Sequence, residues 1–298
     1  MVNVDGLVGP LAQATIPVMD RGFLYGDSVY EVIRTHDGVP LFFGDHFDRL
    51  ENSAQLIHMQ ITQSRSELTR EIRLTVTATG AGRQDNLYIR YQITRGSGPL
   101  DLYPEPDLST SYIVIVKPLP NWPMEFYTRG LDMAIPRIRR NSANALDPNI
   151  KGGNYLNNIL ALGEAKRMGY DDSVMLTRDG FVAEASNSNV WFVINNQLVT
   201  PGEGNLRGLT KMHVHEALGI AGVPSEEVGI HVNELYDATE CFVTSATRDV
   251  MPCAMLRLED GTCLRFPEGG GELTRQVQKI FSAYVHVYIE QHRDESFL

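Results

Sequence analysis

A lysine followed by a glycine pair is the clearest chemical signal in this chain. Lys151 stands directly before Gly152 and Gly153, and an apolar helical pattern begins near Tyr155. Because glycine has no side chain, the pair allows the backbone to approach another group closely. An amine on such a segment can form a Schiff base with an aldehyde cofactor once desolvation or nearby positive charge keeps it unprotonated. Lys151 is therefore the candidate catalytic residue.

A carboxylate farther along the chain supplies a second chemical group. Glu184 lies in a stretch of small polar residues beyond a predicted pair of strands. A carboxylate on the ring nitrogen of pyridoxal phosphate favours the protonated ring, which then accepts electrons from a carbanion. Lys151 and Glu184 together predict pyridoxal phosphate as the cofactor, and Lys151 would move the proton between the substrate Cα and the cofactor C4′.

The cofactor phosphate needs positive charge and N–H donors, and two segments offer them. His46 and Arg49 are three residues apart in a predicted helix and so share one face. Pairing with a neighbouring aspartate is the alternative for this arginine. Leu209 and Thr210 open another predicted helix after a glycine, where backbone N–H groups and the helix dipole favour an anion. Both segments are candidate phosphate sites.

Composition argues against several other classes of function. The chain has 298 residues and a net charge of -11, which disfavours nucleic acid and anionic membranes as partners because both attract clustered Lys and Arg. No apolar run approaches the ~20 residues of a membrane span. The three cysteines lack metal-type spacing, and the N-terminus lacks the pattern of a signal peptide. We therefore expect a reduced, cytoplasmic chain with no metal site.

The order of predicted elements indicates two domains. Residues 1–116 have the pattern of a small α+β domain with a hairpin turn at Asp37-Gly38, and residues 131–298 would form a larger second domain. Between them, a stretch with three prolines excludes regular helix and central strand, so residues 117–130 are predicted to link the domains. Alternating stretches in the first domain predict strands at 28–35, 39–43, 87–94 and 111–116. Helical spacing and capping signals predict helices that begin near Asp45, Ser64, Tyr155, Leu209 and Glu272.

Taken together, these motifs resemble the fold-type IV pyridoxal phosphate enzymes. That family includes branched-chain aminotransferases, D-amino acid aminotransferases, (R)-amine transaminases and aminodeoxychorismate lyases. The resemblance extends from residues 20–27 to residues 271–275. It implies a two-domain α+β or α/β fold, with a small α+β domain and a larger β-barrel-like domain with helices. It also implies a homodimer with shared active sites, in which Tyr25 crosses the interface.

The resemblance also implies roles for individual cofactor-binding residues. By position, Lys151 is the Schiff-base lysine, Glu184 the partner of the ring nitrogen and Arg49 the phosphate arginine. Tyr155 falls near the tyrosine that bonds the phenolic oxygen of the cofactor in branched-chain enzymes, one residue closer to the lysine. The remaining cofactor contacts implied are the backbone donors and turn residues Leu209, Thr210, Ala246 and Thr247.

The substrate residues implied are those of the branched-chain enzymes. Residues 30–34 and 88–90 resemble that subgroup, in which the positions of Tyr88 and Arg90 help to hold the substrate carboxylate. The side-chain pocket would be lined by Tyr30, Val32, Tyr88 and Thr247, with Tyr25 from the partner. The candidates for binding carboxylates are Arg34, Arg90 and Arg248.

Two departures from the family patterns leave the substrate open. Residues 97–103 lack the arginine and histidine that D-amino acid aminotransferases use to trap a carboxylate. Branched-chain enzymes usually carry a Gly-Thr-Ala-Ala-Glu turn, whereas this chain has Ala246 where the hydroxyl is expected and a threonine after it. Arg248 then adds a guanidinium that can bind a carboxylate bidentately or form a salt bridge to Asp249 or a neighbouring loop.

The first functional interpretation is a transaminase of branched-chain type. It would move an amino group from a branched-chain or other hydrophobic amino acid to a 2-oxo acid such as 2-oxoglutarate. The altered turn motivates a second interpretation, a transaminase of (R)-amines or D-amino acids. An aminodeoxychorismate lyase that releases pyruvate and a non-catalytic pyridoxal-binding protein are further alternatives.

Overall fold

The computed structural model describes all 298 residues and divides them into two compact units. The first unit comprises Met1–Pro120, Ile150–Asn154 and Val287–Leu298. The second comprises Asn121–Asn149 and Tyr155–His286. The segment that carries Lys151 and the C-terminal segment both lie in the first unit, not in the large domain predicted over residues 131–298, and the predicted linker 117–130 is divided between the two units after Pro120. The reason is local contact, since Gly152 bridges to Val29 and Phe297 packs into the core of the first unit.

The first unit is built on a six-stranded antiparallel sheet. Its strands are β1 (Val2–Val4), β2 (Leu7–Gly9), β3 (Ser28–His36), β4 (Val39–Pro40), β5 (Leu87–Thr94) and β6 (Ser111–Pro118). They lie in the order β2-β1-β6-β5-β3-β4. Three of the four predicted strands are confirmed, β5 with the expected bounds. The fourth, predicted over 39–43, ends at Pro40, because Phe42 adopts a left-handed conformation and a helix begins at Phe43.

Two helices cover one face of this sheet. The helices of the unit are α1 (Arg21–Tyr25), α2 (Phe43–Leu56) and α3 (Arg65–Thr77), with short 3-10 turns at Leu11–Gln13 and Arg293–Glu295. The predicted capping box opens α3, where Ser64 and Glu67 bond each other's backbone N–H. Leu50 of α2 and Ile72 of α3 pack with Ile89 of the sheet in a fully buried core. These two helices do not cover the opposite face of the sheet.

The second unit is built on a nine-stranded mixed sheet. Its strands are β7 (Leu131–Ala134), β8 (Asp172–Leu176), β9 (Val182–Ala185), β10 (Asn189–Ile194), β11 (Gln197–Pro201), β12 (Glu226–Val228), β13 (Ala238–Ser245), β14 (Asp249–Arg257) and β15 (Cys263–Arg265). The order is β12-β11-β10-β13-β14-β7-β8-β9, with β15 paired to β14. The pairs β11–β12, β14–β7 and β7–β8 are parallel, and the others are antiparallel. Buried residues such as Val174, Phe192 and Val243 form its core.

Three of the four α-helices of the second unit begin within one residue of the predicted start, whereas the short helix Glu125–Thr128 lies in the segment that was predicted to link the domains. The four helices are α4 (Glu125–Thr128), α5 (Leu156–Arg167), α6 (Leu209–Ile220) and α7 (Glu272–Gln291), with a 3-10 helix at Val232–Asp237; the last residues of α7 belong to the first unit. Gly169 ends α5 with a positive φ of 87°. No helix in the structure combines the length and apolarity that a membrane span requires.

Candidate active site

Lys151 lies on a short segment that is held against strand β3. Tyr30 N–H donates to the Lys151 carbonyl at 2.9 Å, and Gly153 N–H donates to the Ser28 carbonyl at 2.9 Å. A Cβ on Gly153 would collide with Ser28 Oγ and force that side chain to move, so the second glycine favours this close approach. The Lys151 amine, Nζ, lies 4.7 Å from the centre of the Tyr30 ring. The glycine pair therefore fixes the lysine beside an aromatic side chain of the sheet.

Five of the predicted substrate residues share one face of the first unit's sheet. Tyr30, Val32 and Arg34 alternate along β3, and the last two pair directly with Arg90 and Tyr88 of β5. The guanidinium carbon of Arg90 lies 3.6 Å from the centre of the Tyr30 ring. The sheet therefore brings aromatic, aliphatic and guanidinium groups together on the face where the Lys151 amine meets Tyr30.

Arg49 has a buried partner, Glu31, which was not among the predicted site residues. Its Nε and Nη2 donate to the two carboxylate oxygens of Glu31, each at 2.7 Å. His46 Nδ1 lies 2.6 Å from Glu31 Oε2, and the Glu31 side chain has no exposed surface. The predicted neighbours His46 and Arg49 therefore do share a face, and the acidic group between them comes from β3. The available signal was the glutamate itself, at a core-facing position between Val29 and Ile33.

The charges in this cluster are set by burial and by the ion pair. Burial alone would raise the pKa of Glu31, but the charges of Arg49 and His46 and their hydrogen bonds bring it well below its usual range. Burial lowers the pKa of His46, although the carboxylate opposes that shift. Glu31 and Arg49 are therefore ionised together, and the pair holds the guanidinium in a fixed orientation.

Glu184 is fixed by two contacts within the second unit. Its Oε1 accepts from Arg140 Nε at 2.8 Å, and its Oε2 accepts from Leu206 N–H at 3.1 Å. The side chain is buried, so these contacts set its direction. Arg140 was not predicted as a site residue. Its only signal in the sequence was membership of a basic pair, Arg139-Arg140, and such a pair is usually a solvated surface feature.

The start of α6 is held in place by buried polar side chains. Asn189 Nδ2 donates to the Leu206 carbonyl at 2.9 Å, and a Cβ on Gly208 would collide with Asn189 Oδ1. The buried Lys211 amine donates to Asn205 Oδ1 at 3.2 Å and to Glu227 Oε2 at 2.8 Å. Leu209 and Thr210 occupy the first two positions of the helix, where backbone N–H groups have no acceptor within the helix.

Ala246 and Thr247 lie in the turn between β13 and β14, beside Arg248. The Thr247 carbonyl accepts from Trp122 Nε1 at 2.9 Å. Arg248 is buried, and its Nη1 donates to Asp172 Oδ2 at 2.8 Å. Of the two possibilities that the sequence left open, the structure contains the salt bridge, and its partner is Asp172 rather than Asp249. This pair could not be predicted from the sequence, because 76 positions separate the two residues.

The two remaining predicted residues lie at the ends of helices. Tyr155 is the residue before α5, and its carbonyl accepts from Ile159 N–H at 2.9 Å. Tyr25 ends α1, and the Arg21 guanidinium carbon lies 4.9 Å from the centre of its ring. Both side chains are partly exposed. Their predicted contacts with cofactor and substrate stay predictions.

The chain matches known proteins over most of its length. The family model for class IV amino-transferases matches residues 28–256. A putative branched-chain-amino-acid aminotransferase of Methanocaldococcus jannaschii is 32% identical over 270 residues, which cover 90% of this chain and 90% of that protein. The branched-chain-amino-acid aminotransferase of Salmonella typhimurium is 29% identical over 280 residues, covering 90% and 87%.

Solved structures of the same kind of protein have the same fold. The branched-chain amino acid aminotransferase of Escherichia coli superimposes with a TM-score of 0.86 at 25% identity, covering 95% of this chain and 93% of that one. The branched-chain aminotransferase of Thermoproteus uzoniensis gives a TM-score of 0.84 at 28% identity, covering 98% and 96%. The fold-type IV architecture expected from the resemblance is confirmed. This chain therefore belongs to the class IV aminotransferases, enzymes that transfer amino groups with pyridoxal phosphate as cofactor.

Proposed function

We propose that this enzyme transfers the amino group of L-leucine, L-valine or L-isoleucine to a 2-oxo acid such as 2-oxoglutarate. The observation that carries the proposal is the face of the first unit's sheet beside Lys151. There Tyr30 and Val32 offer aromatic and aliphatic surface, while Arg90 offers a guanidinium for a carboxylate. A hydrophobic side chain next to a carboxylate is the chemistry of a branched-chain amino acid. The relatives, which are named as branched-chain-amino-acid aminotransferases, support the same substrate class.

The residues present suit pyridoxal phosphate. When bound, the cofactor supplies an aldehyde that accepts the amino group and a ring that withdraws electrons from the substrate Cα. Lys151 Nζ would hold the cofactor and move the proton at the substrate Cα. The Glu184 carboxylate would orient the ring nitrogen; a carboxylate has about four lone-pair sites, so its contacts with Arg140 and Leu206 are compatible with a further N–H.

The phosphate would be bound by charge and by backbone donors. Arg49 carries a permanent positive charge, and its pair with Glu31 fixes its direction. Leu209 and Thr210 offer first-turn N–H groups at the positive end of the α6 dipole. Ala246 and Thr247 would add donors from their turn, and Tyr155 would contact the phenolic oxygen of the cofactor.

The substrate would be bound mainly by the first unit. We assign its carboxylate to Tyr88 and Arg90, with Arg34 as a further cation on the same face. Its side chain would contact Tyr30 and Val32, and two residues from elsewhere would complete the pocket, namely Thr247 and the partner's copy of Tyr25.

A homodimer with shared active sites accounts for the exposed apolar residues near Tyr25. Phe23 in α1 is 61% exposed, and Leu102 in the adjoining loop is 81% exposed. Arg21 Nη2 donates to the Leu102 carbonyl at 2.8 Å, which joins the loop to α1. Apolar patches of this kind mark protein interfaces. We further propose a cytoplasmic location, because all three cysteines are free thiols.

The test is a set of half-reactions followed by cofactor absorbance. Each amino donor is added alone to the holoenzyme, without a 2-oxo acid. We expect conversion to the pyridoxamine form with L-leucine, L-valine or L-isoleucine. Conversion by D-alanine or (R)-1-phenylethylamine, with the three L-amino acids inert, would contradict the proposal in favour of the alternative suggested by the altered turn. Release of pyruvate from aminodeoxychorismate without an amino acceptor would contradict it in favour of a lyase.

A further inference from the structure

We propose that Arg248 is a positioning residue, which fixes the turn between β13 and β14 and binds no substrate carboxylate. It lies between Trp122 and Asp172, and these three residues are called the Arg248 clamp below. The inference rests on the proposed function, because that function assigns the neighbouring Ala246 and Thr247 to the cofactor. It replaces the expectation that Arg248 recognises a substrate.

The first contact of the Arg248 clamp is a buried ion pair. Arg248 Nη1 donates to Asp172 Oδ2 at 2.8 Å, and the two side chains are 8% and 2% exposed. Asp172 is itself fixed, because its Oδ1 accepts from Ser186 Oγ at 2.5 Å and from Ser173 N–H at 2.8 Å. A substrate carboxylate that took the place of Asp172 would leave this buried aspartate without its cationic partner, which is strongly unfavourable. The Nη1 group is therefore committed to a residue of its own chain, and the 8% exposure of the side chain leaves little of its other N–H groups accessible to a ligand.

The second contact of the Arg248 clamp is made by the indole of Trp122. The guanidinium carbon of Arg248 lies 4.6 Å from the centre of the indole, within the range of a cation–π contact. The same indole donates from Nε1 to the Thr247 carbonyl at 2.9 Å. Tyr127 Oη adds a hydrogen bond to the Arg248 carbonyl at 3.1 Å. Trp122 therefore packs against the Arg248 side chain and also forms a hydrogen bond with the adjacent peptide, at the Thr247 carbonyl.

These contacts converge on the backbone of the turn. The Arg248 N–H closes the turn by donating to the Ser245 carbonyl at 3.2 Å, and the carbonyls of Thr247 and Arg248 are both held from the side of Trp122 and Tyr127. A peptide whose carbonyl is held has its N–H direction fixed as well, because the peptide unit is planar. Each peptide unit joins the carbonyl of one residue to the N–H of the next, so Trp122 orients the Arg248 N–H through the Thr247 carbonyl. The bond from that N–H to the Ser245 carbonyl in turn sets the direction of the Ala246 N–H, which the proposed function assigns to the cofactor phosphate.

The experiment uses the holoenzyme and four variants. Trp122→Phe keeps an aromatic face but removes the N–H donor, whereas Trp122→Leu removes both. Arg248→Met removes the guanidinium but keeps a long side chain, and the Arg248→Met/Trp122→Leu double variant measures coupling. The matched control is Arg178→Met, at an exposed arginine of the same unit. If Arg248→Met does not fold, the two Trp122 variants still test the clamp.

The first readout is fluorine NMR of protein labelled with 5-fluorotryptophan. The chain has two tryptophans, Trp122 and the buried Trp191, so two resonances are expected and Trp122→Phe assigns them. Arg248→Met should shift the Trp122 resonance, and Arg178→Met should not. An unchanged Trp122 resonance in Arg248→Met would overturn the proposal, since the guanidinium would then not contact the indole.

The second readout separates cofactor binding from substrate binding. We expect Arg248→Met and Trp122→Leu each to raise the Kd of pyridoxal phosphate about threefold to thirtyfold, the range of cation–π contacts from exposed to desolvated. The double variant should be no worse than the weaker-binding single variant, and Trp122→Phe should retain part of the wild-type affinity. The opposite pattern, in which Arg248→Met raises the KM for amino and oxo acids with an unchanged cofactor Kd and Trp122→Leu has no effect, would overturn the proposal.

The outcome is independent of the substrate assignment. Neither the tryptophan resonances nor the cofactor Kd requires an amino acid. If branched-chain amino acids fail in the half-reactions while these two readouts behave as expected, the proposed function is wrong and the Arg248 clamp stands. If the half-reactions succeed while the Trp122 resonance does not shift in Arg248→Met, the proposal of the Arg248 clamp is wrong and the proposed function stands.

Discussion

Replacing Glu31 by glutamine tests the buried cluster that holds Arg49. The carboxylate has no exposed surface and contacts Arg49 twice at 2.7 Å and His46 once at 2.6 Å. Leaving a buried charge without its partner costs ~3–5 kcal/mol. The glutamine oxygen would still accept one hydrogen bond, worth about 1 kcal/mol. We therefore expect Glu31→Gln to lower the free energy of unfolding by about 3 kcal/mol, and to weaken cofactor binding because Arg49 loses its fixed direction.

The assay is urea unfolding of the apoenzyme, with cofactor affinity measured separately. The matched control is Glu51→Gln on α2, the helix that carries Arg49; the Glu51 carboxylate is 42% exposed and pairs with Arg65. Exposed ion pairs contribute ~0–1 kcal/mol, so this control should remain close to wild type. A Glu31→Gln variant as stable as Glu51→Gln, with unchanged affinity for pyridoxal phosphate, would refute the reasoning.

Three further predictions follow from single contacts. The pKa of Glu31 lies far below its usual value, so the carboxylate stabilises the fold above pH ~4.5 and this contribution is lost as the pH falls further. The difference in unfolding free energy between wild type and Glu31→Gln should therefore stay constant near neutrality and narrow in acid. A difference that widens in acid would contradict the assignment. Gly208→Ala forces a Cβ into Asn189 and should destabilise the protein by ~1–3 kcal/mol and weaken cofactor binding. Gly219, within the helix that follows Gly208, has open space around it, so Gly219→Ala should stabilise the protein by ~0.5–1 kcal/mol. Equal effects of the two substitutions in thermal unfolding would contradict this prediction. Arg140→Met removes a contact that directs Glu184 and should slow the half-reaction about tenfold, whereas Arg139→Met, which breaks a half-exposed pair with Glu259, should leave the rate unchanged.

The elements of the fold were predictable where local chemistry decides the conformation. The turn at Asp37-Gly38 is confirmed, with positive φ at both residues, and so is the capping box at Ser64. The strand predicted to reach residue 43 failed because Phe42 adopts a left-handed conformation, which is uncommon for a bulky residue. The allocation of residues 150–154 to the first unit also escaped prediction. This allocation depends on pairing with a strand that lies far away in the sequence, and composition does not predict such a pairing.

The site shows the same division between residue type and partner. Sequence spacing placed Arg49 with His46, and strand alternation now accounts for the shared face of Tyr30 and Val32. The partners of the charged residues could not be predicted, because a sequence shows which side chains carry charge but not which charges meet. Arg49 pairs with Glu31 across 18 positions, and Arg140 pairs with Glu184 across 44. For Arg248 the missing partner reversed the interpretation, from a substrate ligand to a residue that positions the turn.

Lys151 as the residue that holds the cofactor is the assignment on which the proposed function depends most directly. Reduction of the holoenzyme with borohydride, followed by peptide mass mapping, identifies the lysine to which pyridoxal phosphate is attached. We predict a pyridoxyl group on Lys151 and none in the Lys151→Ala protein. Attachment to another lysine instead, such as Lys117 beside the Tyr88 ring or the buried Lys211, would contradict the account.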